Sequence, residues 1–211
     1  MALTNYGDLK SAVASWLERD DLTARIPDFI ALAQARMYSG DAGIQLPALR
    51  IAAMLSSGTI AITGGVGATP AGWLEFQRLR VNSSDQPNMA FLPPTRFWDN
   101  AAAHYVDTPF YYTIEGSTLR TAPAGDATLS ATWYARLTAM SADADADYVM
   151  TNAPHVYLHG ALYEAYEFEG TLERAAQNAA RFASAVTALN TQDTRAQTSG
   201  SALVMRGRTV S

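Results

Sequence analysis

Pro109-Phe110-Tyr111-Tyr112-Thr113-Ile114-Glu115-Gly116-Ser117-Thr118-Leu119-Arg120-Thr121 is the stretch whose reading decides the fold. Aromatic and β-branched side chains suit a pleated, half-buried surface, and they flank a turn whose glycine can take positive φ. Two paired strands follow. Ala122-Pro123-Ala124-Gly125-Asp126 makes the next turn, after which Thr128 to Leu137 puts Leu129, Ala131, Trp133, Ala135 and Leu137 on one face. Before the hairpin, Trp73 to Val81 alternates, imperfectly, between Leu74, Phe76, Leu79, Val81 and Glu75, Gln77, Arg78, Arg80. Ser83 to Asn88 reads as a turn, Met89 to Leu92 as a short strand, and Pro93-Pro94-Thr95 as the start of a short helix through Arg96, Phe97 and Trp98. Arg50 to Leu55 and Thr59 to Thr63 look extended, with Gly64-Gly65-Val66-Gly67 as a flexible loop tip or a bulged hairpin. Residues 49–139 therefore read as a small antiparallel β-domain.

On either side the period changes to 3.6. Leu9, Val13, Trp16 and Leu17 share a helix face, with Thr4 or Asn5 available as N-cap. After a turn at Arg19-Asp20-Asp21, Ile26, Phe29, Ile30, Ala33 and Met37 make a second stripe behind Pro27, ending at Ser39-Gly40. Beyond a polar connection from Ser141 to Thr151, one helix carries Leu158, Ala161, Leu162 and Ala165. Another carries Leu172, Ala176, Ala179, Phe182, Val186 and Leu189, and its pattern fades near Gln192. The expected fold is α+β. A four-helix bundle-like domain (1–48 and 140–195) holds two N-terminal and two C-terminal helices, the β-domain is inserted between them, and residues 196–211 form an extended C-terminal arm. Thr198-Ser199-Gly200-Ser201 reads as flexible, and after Asp193 the arm holds Arg195, Arg206 and Arg208 with no acidic residue.

Composition excludes several function classes. The chain has 211 residues, 48% hydrophobic and 17% charged, with net charge −5. The apolar content is enough for a core, while so little charge suggests a surface partly covered by a partner. A dedicated nucleic-acid binder carries an excess of positive charge. Without cysteine there is no thiol catalysis, disulfide or thiolate metal site. No stretch is apolar for long enough to span a bilayer, and Met1 to Lys10 lacks the pattern of a signal peptide. Lys10 is the only lysine against fourteen arginines, a bias that suits interfaces and equally fits GC-rich codons.

Chemistry-bearing patterns are weak. Asp143, Asp145 and Asp147 begin like a calcium loop, but Tyr148 and Pro154 stand where that loop needs glycine and glutamate, so a solvated acidic loop is expected. His155 and His159 share a helix face, yet Val156 replaces the glutamate of a zinc protease and no third ligand is marked. The glycine run lacks both the dinucleotide and the phosphate-loop signatures, and no serine sits in a nucleophile elbow. Asp20-Asp21 and Glu164 with Glu167 are paired carboxylates without a visible cleft. No cofactor, metal or catalytic residue is expected.

Several segments, in order, carry a resemblance. Leu3-Thr4-Asn5-Tyr6-Gly7-Asp8-Leu9 leads to Val13-Ala14-Ser15-Trp16-Leu17 and Asp21-Leu22-Thr23-Ala24-Arg25-Ile26-Pro27-Asp28-Phe29. The hairpin, Tyr134-Ala135-Arg136 and His155-Val156-Tyr157-Leu158-His159-Gly160-Ala161-Leu162 follow. Over residues 3–195 the chain resembles the adaptor, or head-to-tail connector, proteins of tailed bacteriophages, and is similar to the tail tubular A proteins of short-tailed phages. It departs from them between Tyr38 and Leu49, where Ser39 to Gln45 replaces an arginine-rich lead into the first strand.

The resemblance implies a structural virion protein, assembled in the host cytoplasm and residing at the neck, with no catalysis and no membrane partner. It implies a homo-oligomeric, dodecameric ring between the portal protein and the tail nozzle or next tail protein. Genomic DNA would pass through the lumen without sequence-specific binding, and an acidic wall would let it slide. Leu203, Val204, Met205, Arg206 and Arg208 are the expected portal-binding arm. Arg78, Arg80, Tyr111 and Trp133 are the expected subunit or tail contacts. Two other classes remain open from the residues alone: a tail component binding host glycans through exposed aromatics, and a hydrolase using His155 or Glu164.

Overall fold

The computed structural model describes residues 3–82, 87–101 and 109–198. The chain divides into two compact units, one of residues 1–52 with 138–211 and the other of residues 53–137.

The first unit is helical. Helix α1 (Tyr6–Leu17) is capped by Asn5, whose side chain accepts from the Asp8 N–H. Its first-turn amides at Tyr6 and Gly7 donate to the carbonyls of Asp145 and Asp143, so the orphan donors of this helix end are met by the 141–147 segment. A 3-10 turn over Asp20–Arg25 follows, longer than the expected bend, and leads into α2 (Ile26–Ser39), with Pro27 in its first turn and Gly40 at φ 73 closing it. The expected α2 stripe is fully buried, but Trp16 of the expected α1 face is half exposed and Ala12 takes the inward position. Residues 42–44 form a 3-10 turn that an isolated bridge between Asp41 and Leu46 closes.

Past the β unit the chain makes two helices where the sequence reads as polar connection and one helix. Short α4 (Tyr148–Asn152) is capped by Asp147, and α5 (Pro154–Glu169) begins behind Ala153. Asp147 is therefore a buried structural residue and not part of a solvated acidic loop: it accepts from the Met150 N–H at 2.7 Å and from the Tyr157 hydroxyl. Burial, with the Asp147 charge beside it, holds the Tyr157 phenol well above its usual range. Helix α6 (Leu172–Thr198) runs past the expected start of the arm. Asn190 ties it to the end of the first helical segment, accepting from the Arg50 N–H at 2.9 Å and donating to the Ala48 carbonyl at 3.0 Å.

Helix α5 is the shared surface. Every residue from Ala161 to Tyr166 is buried. At Gly160 an added Cβ would lie 2.9 Å from the Ala33 Cβ of α2 and 3.2 Å from the Phe182 ring of α6. Glycine here permits the close approach and costs helix propensity in return. Arg36 of α2 reaches across to α5 with Nε 2.7 Å from Glu164 Oε1, while its Nη1 binds Asp41 and its guanidinium lies over the Tyr163 ring.

The second unit is a pair of sheets. One has the order β1 (Leu55–Ile62), β7 (Ala127–Ala135), β3 (Trp73–Val81), all antiparallel. The other has the order β2 (Val66–Ala68), β6 (Thr118–Ala122), β5 (Tyr111–Glu115), β4 (Ala90–Phe91). Ile60, Ile62, Leu79, Met89, Leu119, Leu129 and Ala131 form the core between them.

The expected α+β fold with an antiparallel β-domain is found, and three details of this unit differ. Two-residue β4 runs parallel to β5. A parallel pair needs a crossover rather than a hairpin, and α3 (Pro94–Ala101), longer than the expected short helix, lies on that connection. Residues 52–54 form a 3-10 turn, so β1 begins only at Leu55. The glycine run is a tight turn and not a bulge. Gly64 and Gly65, at φ 57 and 81, make the two-residue turn of a tight hairpin closed by Thr63 and Val66. The 5-residue strands around Gly116 pair in the expected hairpin, with Ile114 opposite Leu119.

Two measurements test this packing. Gly160→Val should destabilise by roughly 1–3 kcal/mol through overpacking, read as a lowered melting temperature. Arg36→Met should cost about 2–3 kcal/mol in denaturant unfolding, because it strands Glu164, which is 7% exposed. The figure sits below that of a fully buried pair because Arg36 is 32% exposed. Adding Glu164→Leu should recover most of the loss.

Candidate assembly surfaces

The residues that stand out chemically are large apolar side chains left open to solvent. Leu32, Phe91, Trp98, Phe168 and Leu172 each keep more than half of their surface exposed, with the smallest value at 53%. Folding hides such side chains when it can, so contiguous exposed ones mark contact surfaces.

In the second unit they gather at the ends of the sheets. Strands β3 and β4 are the terminal strands of their sheets on the same side, and a cleft of about 430 Å³ lies there. Its walls are a chain of rings. Trp73 and Phe76 are 5.3 Å apart, Phe76 and Tyr112 meet edge to face at 6.0 Å, and Phe91 lies 5.5 Å from Tyr112. Burial pushes the Tyr112 phenol above its ordinary value. The Trp73 indole Nε1 is shut off from solvent with no acceptor among the described residues, and so is that of Trp133.

A second cluster lies on α3 and the β5–β6 hairpin. Glu115 accepts from the Trp98 indole at 3.0 Å and from Arg120 Nε at 2.6 Å, and the Arg120 guanidinium lies over the Trp98 ring. Arg120 first, then Trp98, holds the Glu115 carboxyl below the usual carboxylate range.

In the helical unit, Phe168 packs against Phe29 at 5.7 Å, with the Arg25 guanidinium 5.3 Å from its centroid. Trp16 meets His159 edge on at 6.0 Å, and His159 Nδ1 is 3.1 Å from Asn178 Oδ1. Burial lowers the His159 pKa. His155 is exposed on the same face, beside a shallow groove shared with Arg181 and Ser184. Among the described residues, no group of three or more His, Asp or Glu could hold a metal ion.

The structure distributes the expected site residues differently from one another. Arg78 is exposed, with Nε 3.1 Å from Asn88 Oδ1, and Arg80 and Tyr111 are half-buried. Trp133 packs against the sandwich core and leans on Gly58. None of the four lines the aromatic cleft. Leu203, Val204, Met205, Arg206 and Arg208 lie outside the described residues. Glu164 is closed off by Arg36, and Asp21 is held by both Arg19 Nε and Nη2. The residues missed were Trp73 and Phe91. Their alternation marks them as strand residues, and only the sheet order reveals that both stand at an edge.

Ring clusters left open at a sheet edge and on helices are surfaces suited to contact with other chains. Residues 4–206 match the family described as SU10 adaptor protein, and the chain belongs to that family. It is thus a structural phage protein of the head–tail adaptor type, a component of the virion neck. No curated protein matches the sequence.

The lowered His159 pKa sets a pH dependence. The unfolded histidine takes up its proton near pH 6.5, before the folded one does, so stability is present above that pH and is lost as pH falls toward the folded value. Between pH 7.5 and 5.5 the melting temperature should drop more for the wild type than for His159→Gln.

Proposed function

We propose that the chain forms a dodecameric adaptor ring that joins the portal to the tail nozzle or next tail protein, with genomic DNA passing through its lumen without sequence-specific contact. The observation that carries this reading is the family match across nearly the whole chain. The exposed large apolar residues on both units support it, since each is a surface that a neighbour would bury. Subunits in a ring use two different faces in a head-to-tail contact, so each copy needs unlike surfaces on the same body.

In this reading the segment Leu203-Val204-Met205-Arg206 with Arg208 engages the portal, and Arg78, Arg80, Tyr111 and Trp133 lie toward subunit or tail contacts. A net charge of −5 suits a conduit that DNA slides through. Acidic side chains found on the outer wall of the assembled ring would overturn that last point. The role requires no turnover.

The reading is tested by native mass spectrometry of the full chain mixed with the portal ring of the same phage. A discrete set of copies added to the bare portal is expected, weakened by Arg206→Glu with Arg208→Glu. A portal that gains no copies at any salt concentration would overturn it.

A further inference from the structure

Two helices of the helical unit bury one side and leave the other almost without charge. On α2 the stripe Ile26, Phe29, Ile30, Ala33 and Met37 is buried, and Asp28, Ala31, Leu32 and Ala35 lie open on the reverse. On α6 Ala175, Ala179, Phe182, Val186 and Leu189 are buried, and Ala176, Ala180, Arg181, Ser184, Thr187 and Ala188 lie open. Ala33 and Phe182 both face Gly160 of α5, so each open face points away from the helix that the two share. A solvated helix face is normally rich in charged and polar side chains. Each of these faces carries one charge, Asp28 on α2 and Arg181 on α6. Neither is in an ion pair or hydrogen bond among the described residues.

The faces differ in shape as well as in sign. On α2, Leu32 projects with 53% of its surface open. On α6, Ala176, Ala180 and Thr187 join residues 43–45 in a shallow groove of about 520 Å³, space for Leu32 together with the small residues beside it. Ala180 and Ser184 also edge a second groove, which Arg181 lines.

We propose that the α6 face is covered by the α2 face of a second copy of this chain, with Leu32 seated in the groove and Asp28 opposite Arg181. The lone charges are opposite, the knob on one face meets a groove on the other, and small side chains on both let the helix axes come close. The two faces are different patches of one unit, so the contact is head-to-tail and repeats from copy to copy until a ring closes. This inference rests on the ring reading above and names the faces that would join its subunits.

The chain has no cysteine, so introduced cysteines report cleanly. One full-length chain carries Ala31→Cys, within a turn of Asp28, and another carries Ala180→Cys, beside Arg181. They are mixed with and without the portal ring of the same phage under mild oxidation, and the mixed dimer is identified by its mass. The control replaces Ala180→Cys by Ser11→Cys, at an exposed position on α1. The mixed dimer should form about tenfold faster than the control product, and either Asp28→Arg or Arg181→Asp should remove most of that advantage. Placing both reversals in every chain should restore it to within about twofold, which a change in fold would not do. A mixed dimer no faster than the control, or a rate that ignores the single reversals, overturns the contact. If the portal acquires copies and this link still fails to form, the contact falls and the ring stands. If no copies assemble at all, the ring and the contact fall together. Circular dichroism of each variant checks that the fold is kept.

Discussion

Helix α5 has to be buried from several sides at once, and the helical unit is built around that constraint. Its middle carries Tyr157, Leu158, Ala161, Leu162, Tyr163 and Tyr166, all buried, which is too much apolar surface for one neighbouring helix to cover. Helices α1, α2 and α6 therefore all pack on it. A helix enclosed in this way can approach its neighbours only where side chains are small. Gly160 lies against Ala33 and the Phe182 ring, and Ala33, Ala161, Ala165, Ala175, Ala179 and Ala183 are all buried. The alanine content is thus a packing requirement before it is a sign of subunit contact. The polar groups on α5 follow the same logic. Glu164 is buried and takes Arg36, and the Tyr157 hydroxyl takes Asp147. An unpaired buried polar group would cost more than the pairing gains.

Fold class was legible because two periods alternate cleanly along the chain. Leu9, Val13 and Leu17, then Ile26, Phe29, Ile30, Ala33 and Met37, are core residues at helical spacing. The Glu115-Gly116-Ser117 turn, with Leu119, Leu129 and Ala131 buried beyond it, is strand spacing with a turn signal. The failures have separate physical causes. Trp16 sits at a helical i+3 position from Val13, but its bulk lies at the margin of the buried stripe, where Ala12 fits. The parallel β4–β5 pairing leaves no mark in the two residues of β4, which are too few to show an alternation. Asp147 looked like one of three equivalent aspartates. The α4 N-terminus and the Tyr157 hydroxyl distinguish it, and both partners are tertiary facts.

The candidate surfaces were less legible than the core, for a related reason. Phe110, Tyr111 and Tyr112 announce a sheet, but their sequence does not say which side chain faces the sandwich. The register places Tyr112 opposite Thr121 and Tyr111 opposite Ala122, which divides two adjacent tyrosines between opposite faces. Tyr112 then joins Phe76 and Phe91 at the cleft, while Tyr111 stays half-buried on the other side. Trp133 is partly buried and packs against the core of the sandwich. An exposed aromatic is informative only when its strand is terminal, and strand order is the least local property of a sheet.

The two units leave different kinds of surface open, and the difference bears on how such a chain could serve in an assembly. The helical unit presents isolated large residues, Leu32 on α2 and Phe168 and Leu172 at the α5–α6 junction, and, elsewhere, a shallow groove lined by residues 43–45 and the alanines of α6. Knobs and shallow grooves on one rigid body favour a contact between unlike faces, and a contact of that type closes into a ring when the rotation permits. The β unit presents a cleft walled by Trp73, Phe76, Phe91 and Tyr112. At 17% charged residues, the surface is closer to one that expects to be covered than to one evolved to face water alone. Some of the charges that are kept sit in pairs, as with Arg19–Asp21, Arg36–Glu164 and Arg120–Glu115, each held by short bonds within its own unit. Charges committed internally in this way neither repel nor recruit a neighbour strongly.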